Sequence, residues 1–203
     1  MEKKQKFLHV GCGPKRKAQT TPGFNTANWS EIRFDIDLAA QPDIVGSMTD
    51  MSEVVDGSVD ALFSSHNIEH LFPHEVPTAL SEFFRVLSVD GFAVITCPDL
   101  KSVAELVVEG KLTEPAYTSP AGPIAPIDII YGHRASIMNG NHYMAHKCGF
   151  TEEVLRASLK GAGFLSIASI ARGSPHFDLW AVASKVKLEQ GSLRNLFMEY
   201  AGL

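Results

Sequence analysis

Two apolar segments joined by an amphipathic one set the strongest limit on how this chain can fold. Residues 59–67, VDALFSSHN, are almost continuously apolar up to Ser64, which is typical of a strand buried on both faces. Residues 91–98, GFAVITCP, have the same character. Between them, apolar side chains recur at helical spacing at Val76, Leu80, Phe83, Phe84 and Leu87. This pattern predicts a strand, a crossover helix and a parallel strand, the unit of an α/β sheet.

The rest of the chain repeats this alternation of strand and helix patterns. Further strands are predicted at residues 6–11, 31–37, 42–47, 164–172 and 177–185, and helices at 100–110, 151–164 and 189–203. No long helix is expected in residues 14–30, because prolines and asparagines interrupt them. We therefore predict an α/β fold with a doubly wound, mostly parallel sheet and helices on both faces, in a single domain over residues 1–203.

One segment breaks the alternation and is predicted to be an insertion. Residues 111–149 contain Pro115, Pro120, Pro123 and Pro126 and then become rich in Gly, His, Tyr and Met. A forty-residue stretch without regular patterning inside a compact domain is usually a lid or a binding loop. We interpret residues 111–149 as a lid or substrate-binding insertion.

Composition limits the class of protein and its partners. A net charge of −5 argues against broad adhesion to nucleic acid or to an anionic membrane. The three cysteines are widely spaced and odd in number, which favours reduced thiols and a cytoplasmic setting. No apolar stretch is long enough to span a bilayer, and the N-terminal run FLHV is too short for a signal peptide. We expect a cytoplasmic protein that does not bind membranes.

The residues that follow the predicted strands limit the ligand. After the first strand, GCGPKR has Arg16 where the dinucleotide fingerprint GxGxxG needs its third glycine, which disfavours NAD or FAD. Gly11 and Gly13 still allow a ligand without a pyrophosphate to approach the backbone. Asp35, after the second strand, is suited to accept hydrogen bonds from both hydroxyls of a ribose, and Met48 is suited to contact adenine.

Read in order, these segments resemble the class I S-adenosylmethionine (SAM)-dependent methyltransferases, in particular the small methyltransferases of type 11. The resemblance covers roughly residues 6–100, and the later CGFTEEVLRASLKGAGF is also similar to the family. It is carried by LHVGCG, RFDID, DIVGSMTDM, VDALFSSHNIEHL and ALSEFFRVLSVDGFAVITCPDL. The resemblance implies a Rossmann-like methyltransferase fold, SAM as the cofactor and methyl transfer as the reaction.

The resemblance also implies which residues hold SAM. The loop Gly11, Cys12 and Gly13 would lie against the methionine part, and Asp35 would take the ribose hydroxyls. The adenine would lie beside Ile36, Met48 and Thr49, while Ser65 and His66 would lie beside the sulfonium and amino acid part.

Two positions depart from the family pattern and keep alternatives open. His9 stands two residues before the loop, where the family often has an acid, and Lys15 stands where another glycine is frequent. A SAM-binding or nucleotide-binding protein without transferase activity is therefore one alternative. An NAD-dependent oxidoreductase is another, although the chain lacks both the third glycine and a Tyr-x-x-x-Lys pair.

The insertion supplies the candidates for acceptor binding. Methyl transfer from a sulfonium depends mainly on proximity, and a general base is needed only when the acceptor loses a proton. His133 and His142 are the candidate bases, and Tyr131 and Asp99 are further candidate acceptor contacts. The charge favours a small-molecule acceptor, with RNA or a protein side chain left open, and the oligomeric state is not readable.

Histidine spacing raises a metal site as an alternative. His142 and His146 precede Cys148 at ligand-like spacing, and a second set is formed by His66, His70 and His74. Pro73 interrupts the second set, and in the family resemblance His70 has a packing role. We therefore expect no metal.

Overall fold

The structure, a computed structural model, describes residues 4–202, and its centre is one seven-stranded sheet. The strands of this sheet are β1 (Gln5–Val10), β2 (Trp29–Asp35), β3 (Ile44–Val45), β4 (Val59–Ser65), β5 (Leu87–Pro98), β8 (Ser166–Arg172) and β9 (Asp178–Ser184). Their spatial order is β3-β2-β1-β4-β5-β9-β8. The order reverses between β1 and β4, which is where ligands bind in sheets of this kind.

Six of the seven strands run in the same direction, and five of them are joined to one another by parallel pairing, as predicted. Val10 is paired with Phe34 on β2 and with Ser64 on β4, so these three strands end at the same edge. Strand β9 runs antiparallel to both of its neighbours, β5 and β8. The carboxyl ends of β1, β2, β4 and β5 therefore form one edge, and the candidate cofactor residues lie on it.

Helices cover both faces of the sheet, which confirms the predicted fold class. Helices α1 (Val76–Val86) and α5 (Glu152–Gly161) pack on one face through Leu80, Phe83 and Leu155, all fully buried. Thr151 begins α5 as predicted, with its Oγ1 accepting from the Val154 amide at 3.4 Å. Helix α6 (Gln190–Tyr200) contacts β8 and β9 on the opposite face.

Aromatic side chains replace a first crossover helix on the second face. The chain between β1 and β2 forms only one short 3₁₀ turn, Lys17–Gln19, as the prolines predicted. Phe24 from this connection packs on Tyr200 of α6, with ring centroids 4.9 Å apart. The Trp29 indole N–H donates to the Tyr200 hydroxyl at 3.2 Å. The connection between β1 and β2 and helix α6 thus cover this face together.

The segment predicted as irregular contains short regular elements. After α2 (Leu100–Val108) come the hairpin β6 (Tyr117–Ser119) and β7 (Gly122–Ile124), then α3 (Pro126–Tyr131) and α4 (Arg134–Met138). Each is too short for its periodicity to be read from sequence. Strand β7 and helix α3 pack on α2 around a small apolar cluster of Val103, Ile124, Ile129 and Phe177. We call residues 111–149 the insertion.

Within residues 4–202, none of the helices combines the length and the apolar character needed to cross a membrane.

Candidate active site

The glycine loop after β1 is shaped by one side chain from the loop after β4. Gly11 has a φ of 61°, and a Cβ atom there would lie 2.0 Å from the Asn67 Oδ1. The Asn67 Nδ2 donates to the carbonyls of Val10 and Ser65, both at 3.0 Å, and so joins the ends of β1 and β4. Only glycine at position 11 leaves room for this bridge.

Gly13 serves a different purpose in the same loop. Its φ is 50°, and a Cβ atom there would have no neighbour within 4 Å, so the space above it is open. Cys12, between the two glycines, is buried, and burial raises the pKa of its thiol to about 11. Any contact of Cys12 with a ligand in this space is therefore made by its backbone.

Asp35 lies at the end of β2 and closes the other side of that space. Its Oδ2 accepts from the Gly13 amide at 2.7 Å, and its Oδ1 accepts from the Asp37 amide at 2.8 Å. A carboxylate offers about four lone-pair positions, so these two bonds leave positions for a ligand's hydroxyl groups. Asp35 thus both fixes the glycine loop and keeps acceptor capacity.

Arg33 is a structural residue of the site that the sequence analysis missed. Its side chain is almost fully buried, and its guanidinium donates to four backbone carbonyls, those of Gly13, Lys15, Ala40 and Gln41. Two of these carbonyls belong to the glycine loop and two to the turn after β2. One side chain therefore sets the distance between the two walls of the open space.

Apolar side chains extend the site beyond Asp35. Ile36 is 49% exposed, and Met48 is half-buried against the core. The Thr49 Oγ1 is 2.8 Å from the Ser47 Oγ, which orients both hydroxyls. Ile36 follows β2 directly, and Met48 and Thr49 follow β3, so these residues lie after the two strands on the Asp35 side of the sheet.

Ser65 and His66 lie at the end of β4, on the other side of the glycine loop. The Ser65 Oγ is 2.9 Å from the Thr96 Oγ1 on β5. His66 has a φ of 56°, its amide donates to the Thr96 carbonyl at 2.9 Å, and its side chain is exposed. The left-handed backbone at His66 turns the chain away from the sheet at its carboxyl edge.

The candidate acceptor residues differ in their contacts and in their exposure. Asp99 is buried and caps α2, since its carboxylate accepts from the amides of Lys101 and Ser102 at 3.1 and 3.3 Å. Tyr131 and His142 are exposed on the insertion. The half-buried His133 has its Nδ1 2.8 Å from the Ser136 Oγ. The contacts of Asp99 give it a capping role, so we leave it out of the acceptor pocket proposed below.

His9 forms a pair with an acid on the neighbouring strand. Its Nδ1 is 2.7 Å from the Glu31 Oε1, while the Glu31 Oε2 accepts from the Lys17 amide at 2.8 Å. Burial lowers the pKa of His9, and the hydrogen bond and charge of Glu31 offset this effect only in part. The pair anchors the irregular connection between β1 and β2.

The sequence was compared with models of known protein families and with curated proteins. A family model described as a methyltransferase domain matches residues 8–95, which include the second half of β1, all of β2 to β4 and most of β5. No curated protein matches the sequence at a significant level.

Solved structures with the same fold cover nearly the whole chain. A SAM-dependent methyltransferase from Methanosarcina mazei is 14% identical with a TM-score of 0.60, over 93% of this chain and 95% of that one. The 1,6-didemethyltoxoflavin-N1-methyltransferase of Burkholderia thailandensis is 16% identical with a TM-score of 0.57, over 91% and 72%. Its structure contains 1,6-didemethyltoxoflavin and S-adenosylhomocysteine. A SAM-dependent methyltransferase from Archaeoglobus fulgidus is 16% identical with a TM-score of 0.55, over 90% and 86%.

The family match and the fold agree with the strand-end geometry. The match covers the strands that carry the glycine loop and Asp35, and the structural likeness extends the fold through the insertion to β9. Residues 8–95 therefore match a methyltransferase domain, and the chain has the fold of SAM-dependent methyltransferases, which makes SAM its cofactor.

Proposed function

We propose that this enzyme transfers the methyl group of SAM to a small-molecule acceptor held between the strand ends and the insertion. The observation that carries the proposal is how the insertion is held at the edge where SAM is expected. The amides of Lys147 and Cys148 donate to the Glu69 carbonyl at 2.8 and 3.2 Å, and Phe150 pairs with Asp99 after β5. The insertion is therefore suited to cover an acceptor next to the cofactor.

A small acceptor is favoured by charge and by analogy. The net charge of −5 disfavours a polyanionic acceptor such as RNA. The Burkholderia thailandensis relative, of the same fold, has a small heterocycle in its structure, and we extend this class of acceptor to the present chain as part of the proposal.

The residues at the strand ends fit SAM. Asp35 would accept from the ribose hydroxyls, and Ile36, Met48 and Thr49 would border the adenine. A Cβ atom at Gly13 would meet no atom within 4 Å, and this open space would take the methionine part beside Gly11 and Cys12. Ser65 and His66 would border the amino acid and sulfonium part from the β4 side.

The chain's own task in the reaction is to place the acceptor and exclude water. SAM supplies a methyl carbon that its positive sulfonium has already activated. Holding two reactants in line contributes about 7–11 kcal/mol to lowering the barrier, so no single catalytic side chain is required. For an acceptor that must lose a proton, His133 or His142 is our candidate base. The Nδ1 of His133 is oriented by Ser136, which leaves its Nε2 to face an acceptor.

Calorimetry and a turnover assay test the proposal. We expect SAM and S-adenosylhomocysteine to bind with a stoichiometry of about one, and NAD to give no heat. In an assay with radiolabelled SAM, we expect at least one compound in a panel of small amines, phenols and N-heterocycles to be methylated. We expect RNA and unstructured peptides to remain unlabelled. If neither SAM nor S-adenosylhomocysteine binds, the proposed methyl transfer from SAM is contradicted. Binding without turnover on any acceptor would favour the non-catalytic SAM-binding alternative.

Histidine variants test whether a general base takes part in the reaction, independently of SAM binding. If a base is used, His133→Ala or His142→Ala should lower kcat by about 10²-fold, the usual size of such a contribution, and leave SAM affinity unchanged. His74→Ala, at another exposed histidine, is the matched control and should keep full activity. Full activity in both test variants would rule out the base role and leave proximity as the mechanism.

A further inference from the structure

A buried carboxylate between two histidines lies beside the candidate active site. Glu69 is 1% exposed, and neither of its carboxylate oxygens has a hydrogen-bond partner within residues 4–202. One ligand atom from each of Glu69, His70 and His146 lies within 4.8 Å of the other two. The His146 Nε2 is 4.0 Å from the Glu69 Oε1, and the His66 Nδ1 is 3.5 Å from it. A carboxylate buried in this way stays ionised only if a cation compensates its charge.

The two histidines of this cluster are held by their other nitrogen. The His70 Nδ1 is 3.0 Å from the Ala145 carbonyl, and the His146 Nδ1 is 2.8 Å from the Ile129 carbonyl. A carbonyl oxygen only accepts, so in each ring Nδ1 carries the hydrogen. In the neutral ring, Nε2 then carries a lone pair. This is the arrangement of metal-binding histidines, whose second nitrogen donates to a backbone carbonyl or a carboxylate.

Lone pairs that face a carboxylate repel it unless a positive charge lies between them. A small cavity of about 10 Å³ adjoins this cluster, with Glu69, His146 and Cys148 in its lining. That volume is at the lower limit of what one water molecule needs, so the cavity admits at most one small additional ligand on an ion. The Cys148 Sγ lies 3.4 Å from the Ile68 carbonyl as a hydrogen-bond donor, so we do not count it among the ligands.

We propose that Glu69, His70 and His146 bind one divalent transition-metal ion, with Zn²⁺ as the ion that the ligands fit first. Two imidazoles and one carboxylate are a ligand set of zinc sites that keep a fourth position for water, whereas Ca²⁺ and Mg²⁺ prefer oxygen ligands alone. The same set with two imidazoles also suits Fe²⁺. This proposal departs from the expectation of no metal. The sequence analysis considered two separate histidine sets, whereas the proposed site takes His70 from one set and His146 from the other.

The position of the ion gives it a structural consequence for the active site. Glu69 and His70 follow β4 at the carboxyl edge of the sheet, whereas His146 belongs to the insertion. An ion bound by all three side chains would therefore tie the insertion to the sheet next to the cofactor site. Its binding does not depend on the identity of the acceptor, so the test below stands apart from that of the proposed function.

Metal titration of the full chain tests the site. After treatment with a chelator, the protein should bind one equivalent of Zn²⁺ and show a higher melting temperature. One equivalent of Co²⁺ should give visible d–d absorption bands that Zn²⁺ then removes. Glu69→Gln and His146→Gln should each weaken Zn²⁺ binding by more than a hundredfold. His74→Gln and His142→Gln, at exposed histidines, are the matched controls and should bind as the parent protein does.

The Glu69→Gln variant also distinguishes the ion from a proton. Its amide can donate to a histidine Nε2, so we expect a metal-free variant at least as stable as the metal-free parent, with no response to Zn²⁺. If protonated histidines balance Glu69 instead, this variant should be less stable than the parent at every metal concentration. That result would overturn the proposal. So would a parent protein that gives no cobalt absorption, a measurement that requires no variant to fold.

Discussion

Arg33→Met should lower the free energy of unfolding by about 3 kcal/mol and weaken SAM binding more than tenfold. The variant removes the donors for four backbone carbonyls, and each buried acceptor left without a partner costs about 1–3 kcal/mol, less where water can enter. The effect on affinity follows because those carbonyls belong to both walls of the proposed cofactor site. Urea denaturation and calorimetry with SAM measure the two effects separately.

Two further variants give this prediction its controls. Arg33→Lys keeps the charge but not the planar set of donors, so it should recover only part of the lost stability. Arg16→Met removes an exposed arginine from the same loop and should change the free energy of unfolding by less than about 0.5 kcal/mol. An Arg33→Met protein as stable as the parent would show that the guanidinium does not hold the loops.

Asp35→Asn should weaken SAM binding by about tenfold to a hundredfold. Hydrogen bonds to a charged group are worth about 1.5–3 kcal/mol, and a factor of ten in affinity corresponds to about 1.4 kcal/mol. The amide of the variant has one acceptor oxygen where the carboxylate has two. The Gly13 amide, the Asp37 amide and the ribose hydroxyls then have to share it. Calorimetry with SAM and S-adenosylhomocysteine measures the loss.

The neighbouring acid supplies the matched control for Asp35. Asp37 caps the short turn after β2 by accepting from the Ala39 amide at 2.8 Å, away from the glycine loop. Asp37→Asn should therefore change SAM affinity by no more than about twofold, a difference below 0.5 kcal/mol. Equal losses in the two variants would mean that charge near the site, and not a direct contact from Asp35, controls binding.

The fold class was readable from sequence because each central strand is buried on both faces. Such strands show long apolar runs, and the helix between β4 and β5 shows a clear stripe, so a parallel sheet follows. The short elements of the insertion were not readable, since three to six residues are too few to show a period. Gly132 is an example. Its φ is 96°, and a Cβ atom at this position would lie 1.9 Å from the Met144 carbonyl oxygen, so only glycine fits; this cannot be read from the sequence.

The candidate site was predictable only where residues follow a strand directly. Gly13 and Asp35 lie at strand ends, so their positions followed from the topology. Arg33, Asn67 and Glu69 were missed because each acts on a segment distant in sequence. For Arg33 a signal existed, since an arginine inside the otherwise strand-like EIRFDID requires a dedicated set of acceptors if it is buried.

The sequence position of Asp99 is compatible with two roles, a ligand contact after a strand and a helix N-cap. It follows β5 directly, and residues in that position of a parallel sheet often contact ligands. It also precedes LKSVAELVV, and an aspartate before a helix is a common N-cap. The structure shows the cap, with both carboxylate oxygens accepting from backbone amides of α2.

The aromatic contact between Phe24 and Tyr200 also affects the order in which the enzyme can mature on the ribosome. Strands β1, β2 and β4 leave the exit tunnel first, but their second face stays bare until α6 has been translated. During that interval Phe7, Phe63 and Trp29 are open to water and to other nascent chains. This face is therefore buried only after α6 has been synthesised, and until then its aromatic side chains have no cover from that helix.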